Sequence, residues 1–148
     1  MEDLLQIFLT ATLTIIGGVL IYVLGEIIKI IFIDPWQKFN KVIAKIDNEL
    51  KYYAYIIANP GIKNHEGELD PNYLKCSKRI RKFSCDLETS YKQLPEILKS
   101  KYPVSKIVDS AQLLIGISNG IFHRETAILN SDSMKKIREN LNIISITG

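Results

Sequence analysis

No lysine or arginine precedes Lys29, and the 22 residues from Leu4 to Gly25 carry no formal charge. This excludes an ordinary amphipathic surface helix, which needs a polar stripe. Histidine and cysteine are equally sparse. His65 and His123 have no cysteine or second histidine at metal-ligand spacing, so no zinc site and no metal or other cofactor is expected. Cys76 and Cys85 lie nine residues apart. On a helix that is about two and a half turns, so the two thiols face opposite sides and cannot pair there. A reducing compartment follows most simply. No Gly-rich phosphate loop and no nucleophile motif is expected, no internal repeat is visible, and no strand pattern of any length appears, the tail Ile143–Ile146 being ambiguous.

What is present is an apolar segment of unusual length. Leu4–Ile33 is mostly Leu, Ile, Val and Phe. As a helix, its uncharged part alone reaches roughly 33 Å at about 1.5 Å per residue, against a bilayer hydrocarbon core of about 30 Å. A lone segment in that slab must be helical, because no water is there to satisfy an open backbone. Residues 1–33 therefore read as one transmembrane helix and 34–148 as a separate domain. A signal peptide would begin with basic residues and end in a small-residue cleavage site. Here the start is Met1-Glu2-Asp3 and no such site closes the run, so the segment is expected to stay as an anchor. Lys29, Lys38, Lys41 and Lys45 follow it, which places the C-terminal side in the cytoplasm. Trp36 suits the headgroup level, and Pro35 is expected to re-aim the chain as it leaves the membrane.

Within the apolar helix, Gln6, Thr10, Thr14 and Gly18 recur at i+4, a drift of about 40° per step, with Gly17 and Gly25 near the same side. Small residues at such spacing let helices approach closely in lipid. Gln6, Thr10 and Thr14 are the candidate lining of an oligomeric pore. Gly17, Gly18, Gly25, Glu26 and Lys29 are the candidate contacts between copies. Glu26 and Lys29 are three apart, close enough to pair, and are expected to do so between neighbouring subunits.

The 115 residues from Asp34 to Gly148 hold 18 basic and 13 acidic side chains, a net +5. That suits proximity to anionic lipid or weak attraction to RNA. Their apolar spacing predicts an all-α bundle. Trp36–Asn59 reads as one helix with Phe39, Val42, Ile43, Ile46, Leu50, Tyr53 and Ile57 inward, stopped by Asn59-Pro60-Gly61. Asp70-Pro71 opens the next as N-cap and first-turn proline, with Tyr73, Cys76, Ile80, Phe83, Leu87 and Tyr91 as its stripe. Lys75, Lys78, Arg79, Arg81 and Lys82 lie between them, a candidate RNA or lipid patch. A short helix is expected over Leu94–Tyr102. A central one, capped by Ser105, runs to about Asn119 with Val104, Ile107, Val108, Ala111, Leu114, Ile115 and Ile117 apolar. A loop Phe122–Asn130 and a last helix capped by Ser131-Asp132 complete the reading, with Met134, Ile137 and Leu141 inward. Asn119, His123 and Arg124 converge where the central helix breaks. They could serve acid–base and phosphate-stabilising roles in RNA cleavage, but as helix-end caps they need no such role.

The MEDLL start, the GGVLIYVLGEIIK membrane exit and the GISNGIF helix end, in a chain laid out as one membrane helix and a small helical domain, resemble the single-pass accessory proteins found beside type VI-B CRISPR RNA-guided RNases. The resemblance implies a bundle similar to the HEPN nuclease fold, homo-oligomeric assembly into a membrane pore, and strengthened antiphage defence at a bacterial inner membrane. It implies as partners other copies of the chain, the bilayer, and an RNA-guided RNase or RNA. The HEPN motif runs from Arg through a polar residue and four to six others to His. No arginine precedes either histidine at that spacing; after Arg124 and Glu125, Asn130 stands where histidine would fall. The implied nuclease motif is degenerate, so no enzyme activity is expected. Membrane-tethered RNA binding or cleavage, and a passive membrane scaffold, are the other functions this layout allows.

Overall fold

The computed structural model describes residues 2–63 and 67–143. His65 and the tail from residue 144 lie outside them. Among the described residues the structure is helical, apart from an isolated antiparallel bridge between Lys63 and Leu69.

Helix α1 (Glu2–Ile28) runs through a π turn (Lys29–Ile33) into α2 (Asp34–Tyr52). From Asp3 to Tyr52 this is one helix of 50 residues. The helix therefore does not end at Pro35: the apolar helix and the first helix of the bundle, expected as two, are one. Proline has no N–H to donate, and its ring clashes with the carbonyl four residues back in a regular helix. The π turn lies immediately upstream, and the Asp34 N–H bonds the carbonyl of Lys29, five residues back. The wider turn lets the helix carry Pro35 without ending.

Helix α3 (Ala54–Ala58) follows after a break at Tyr53, so the single helix expected over 36–59 is two. Then come α4 (Pro71–Lys92), α5 (Glu96–Lys99), α6 (Val104–Gly120), a 3₁₀ turn (Arg124–Thr126) and α7 (Ala127–Asn140). Asp70 caps α4 as expected, accepting from the Asn72 N–H at 2.8 Å. Ser105 does not cap α6: Pro103 holds the cap position without a side-chain bond, and its fixed φ already suits a helix start. Helix α7 begins at Ala127, ahead of the expected Ser131-Asp132 cap. The 3₁₀ turn feeds straight into it, so Asn130 sits in the helix rather than in a loop.

Side-chain pairs fix the directions. Glu49 meets Arg79 and Lys38 meets Gln93, so α4 runs antiparallel to α2. Ser84 Oγ donates to the Ala111 carbonyl at 2.9 Å and Arg81 donates to Asn119, so α6 returns beside α4. Asn130 reaches the Ile57 carbonyl at 3.4 Å and Arg138 lies 3.2 Å from Asp47, so α7 descends beside α3 and α2. The result is an up-down-up-down bundle of α2, α4, α6 and α7. Phe39, Ile46, Leu50, Ile57, Ile80, Leu87, Ile107, Leu114, Ile117, Ile121, Ile137 and Leu141 fill it, all essentially without solvent access. Each such side chain contributes about 1.5–3 kcal/mol of burial. Val104, Val108 and Ile115, read as apolar face of the central helix, point outward instead. That helix contacts α4 on one side and α7 on the other, and the third side stays open.

None of residues 3–33 is buried. This stretch is long and apolar enough to cross a membrane, and the first buried residue along the helix is Phe39.

Candidate functional site

Two places concentrate the sequence-predicted residues: the apolar helix and the far end of the bundle.

On the apolar helix, Gln6, Thr10 and Thr14 flank a shallow open trough together with Asp3 and Ala11. Thr10 Oγ1 donates to the Gln6 carbonyl and Thr14 Oγ1 to the Thr10 carbonyl, both at 2.8 Å; Thr12 does the same to Phe8. These i−4 bonds satisfy the hydroxyl protons within the helix and leave the oxygens free to accept. Threonine can thus stand in an apolar setting without a partner helix. A Cβ added at Gly17, Gly18 or Gly25 would meet nothing within 4 Å, so no part of this chain requires those glycines. Glu26 and Lys29 pair within the chain at 3.6 Å, both substantially exposed.

At the other end, Asn119, His123, Arg124 and Asn130 each meet a different partner. Asn119 accepts from Arg81. Arg124 Nε donates to the Gly61 carbonyl at 3.3 Å, and the Gly61 N–H donates to the Ile121 carbonyl at 2.9 Å. Thr126 Oγ1 closes the end of α6 by donating to the Gly120 and His123 carbonyls. Buried Asn130 bonds the Ile57 carbonyl and Thr126 Oγ1, both at 3.4 Å. His123 projects to solvent, 3.9 Å from Glu125. The knot ties α3, α6 and α7 together through backbone carbonyls near their ends.

One motif escaped the sequence reading. Gly116-Ile117-Ser118-Asn119-Gly120 has the G-x-S-x-G spacing of a nucleophile elbow. An elbow needs a strained strand-to-helix turn that exposes the serine. Here the pentapeptide lies inside α6, and Ser118 is buried with its hydroxyl donating to the Ile115 carbonyl at 2.9 Å. Of its two glycines only Gly120 meets a packing constraint. Gly120 leaves room for Asn130, whose Oδ1 would lie 2.5 Å from a Cβ there.

The basic run on α4 splits three ways. Arg79 makes a two-pronged pair with the mostly buried Glu49. Arg81 is engaged by Ser118 and Asn119. Lys75, Lys78 and Lys82 are exposed on the outer face. All five stay exposed; Arg79 is paired with a carboxylate, and the two arginines also tie α4 to α2 and α6. Both cysteines behave as their spacing predicts: Cys76 is buried and Cys85 exposed. Burial, with the Glu49 charge adding to it, pushes the Cys76 thiol up to about 12. Among the described residues no group of His, Cys, Asp and Glu is placed to hold a metal ion.

Sequence reasoning also missed the aromatic cluster at the base of the bundle. Trp36, Phe39, Tyr91 and Tyr102 stack with centroids 5.2–6.5 Å apart. Lys101 Nζ sits 5.1 Å above the Trp36 ring. Tyr102 belongs to no predicted apolar stripe, so periodicity gave no sign of it.

No family model, curated protein or solved structure matches this chain, and none of those comparisons bears on the CRISPR accessory-protein resemblance.

Proposed function

We propose that this chain is a single-pass membrane protein that self-assembles through its apolar helix and permeabilises the membrane. The observation that carries the reading is the state of residues 3–33. They form a long apolar helix with no residue buried, while the same helix becomes one wall of a packed bundle. Apolar surface on this scale needs a cover. A bilayer supplies one, and copies of the same helix supply the rest. The lysines that follow the segment orient the bundle to the cytoplasm, which in a bacterium means the inner face of the inner membrane.

A pore requires several copies, because one helix encloses nothing. In a ring, the Gln6, Thr10 and Thr14 side faces the lumen, where hydroxyl and carboxamide oxygens meet water and ions. Gly17, Gly18 and Gly25 allow close approach of neighbours. Glu26 with Lys29 sits at the cytoplasmic rim, where the pair reaches across to the next copy. The resemblance to CRISPR-associated accessory proteins sets this permeation in antiphage defence beside an RNA-guided RNase. RNA cleavage by this chain is not part of the proposal. The Arg-to-His spacing is missing, and the polar residues near His123 are bonded to backbone carbonyls.

Ion flux and particle mass, measured on the same reconstituted variants, test the reading. Thr10→Leu with Thr14→Leu is expected to abolish flux while leaving the oligomer intact. Glu26→Ala is expected to weaken the oligomer. A monodisperse monomer in mild detergent sinks the proposal, and unchanged flux in the double leucine variant removes the lumen assignment.

A further inference from the structure

We infer that the turn joining α4 to α6 is a membrane-surface contact that reads anionic lipid headgroups. The inference rests on the membrane reading above and adds to it a second, charge-selective foothold of the bundle.

Position is the first argument. Helix α4 descends antiparallel to α2, so its end and the start of α6 return to the level where the apolar segment stops. Trp36 lies three residues beyond Ile33, about 4.5 Å along the helix. Tyr102 stacks on Trp36 with centroids 6.2 Å apart, Lys101 covers the same ring, and Lys38 Nζ donates to Gln93 Oε1 at 2.8 Å. These contacts hold 93–102 beside the first turn after the apolar helix. A bilayer spanned by α1 would meet this turn and not the distal one.

Chemistry is the second. Residues 34–41 and 92–106 hold six lysines against two carboxylates, Asp34 and Glu96. Glu96 is occupied by Lys99 at 2.6 Å. Lys38, Lys92 and Lys101 are exposed. Over residues 59–72 and 121–126, the loops at the opposite end of the bundle, the described charges are Lys63 and Arg124 against Glu68, Asp70 and Glu125. Between Gln93 and Lys101, Ile97 is 72% exposed. At a headgroup boundary, an apolar tip ringed by lysines above a tryptophan inserts its side chain and pairs its ammonium groups with phosphates.

The test uses the full chain, reconstituted into vesicles of phosphatidylcholine alone or with phosphatidylglycerol. Two readouts keep the inference apart from the reading beneath it. Trp36 is the sole tryptophan, so its quenching by shallow brominated lipid reports insertion of α1. A spin label at Ile97→Cys, in a Cys85→Ser background, reports the turn through its collisions with a water-soluble nickel chelate. Leu129→Cys at the start of α7 is the exposed control. With phosphatidylglycerol, the label at 97 is expected to be shielded at least five-fold relative to the control. The shielding should weaken about five-fold for each of Lys38→Gln, Lys92→Gln and Lys101→Gln. Quenched Trp36 with the label at 97 as accessible as the control overturns the inference and leaves the membrane reading standing. Shielding that is equal in both lipids and unmoved by the lysine variants marks contact with a neighbouring copy and overturns it as well. Trp36 unquenched in both lipids removes the membrane reading and the inference together.

Discussion

The first 33 residues and the rest of the chain use the same apolar residue types to opposite ends. In the bundle, Phe39, Ile46 and Leu50 recur at helical spacing and are removed from water by α4, α6 and α7. In the leading helix, Phe8, Leu13 and Ile21 are more than half exposed, and no residue from 3 to 33 is buried by the described residues. The difference is one of pattern rather than of hydrophobicity. An apolar stripe with a polar back needs one covering partner, and a protein can supply it from its own sequence. Apolar surface on all sides needs a surrounding medium. The two regions share one helix, so continuous helical backbone joins a surface that the chain covers itself to one that it leaves bare.

The largest expected effect separates the two regions directly. Phe39→Ala should cost the bundle about 3–5 kcal/mol. Phe8→Ala, at a site 72% exposed, should leave its unfolding midpoint unchanged. Denaturant titration in detergent, followed by alkylation of the buried Cys76 thiol, measures both. A comparable loss in the Phe8 variant would mean that the leading helix packs on the bundle.

Glycine substitutions give a finer contrast. Gly61 has φ +67°, and a Cβ there would lie 3.0 Å from the Phe122 carbonyl. Gly61→Ala should therefore destabilise by about 1–3 kcal/mol. Gly120→Ala forces buried Asn130 to move and should cost about 1–2 kcal/mol. Gly116, one turn earlier in the same helix, has nothing within 4 Å of its would-be side chain; Gly116→Ala should stabilise by about 0.5–1 kcal/mol. Gly17→Ala should leave the bundle's thermal midpoint where it is. Equal shifts at 116 and 120 would refute the assignment of Gly120 as a packing position.

The smallest effect is in acid. The Asn140 amide, then Lys136, hold the Asp109 carboxyl below its ordinary value. A lowered native pKa gives stability that is present above the unfolded value of about 3.9 and is lost as pH falls through the native one. Acid-unfolding curves of the wild type and Asp109→Asn should differ near neutrality and converge at low pH. A constant offset at every pH would remove this α6–α7 pair as the cause.

Much of the architecture was legible from residue spacing. The all-α class, the long apolar helix, the Asp70-Pro71 start of α4 and the buried stripe from Tyr73 to Tyr91 follow from local rules, because capping and periodicity act within a few residues. The misses lie where distant segments meet. Pro35 reads as a break because proline disfavours a regular helix; the π turn upstream absorbs it, and composition does not announce a π turn. Asn119 and Arg124 read as helix-end caps, but the sequence does not say what they or Asn130 bond to. Their partners, on Gly61, Ile57 and Arg81, lie dozens of residues away.

By itself, then, the sequence determined helix class, the register of the apolar faces of α2 and α4 and the existence of a segment too apolar for its own chain to cover. These depend on the side chains of one stretch and on backbone geometry that every helix shares. Only the tertiary structure decided that two arginines of the exposed basic run on α4 also bridge helices. It alone decided that the serine of a G-x-S-x-G spacing is buried inside a helix, and that Lys101 comes to rest on Trp36 beside the end of the apolar helix. Each of those depends on which helix lies alongside which, and at what height. Long-range packing sets that, and no local pattern encodes it.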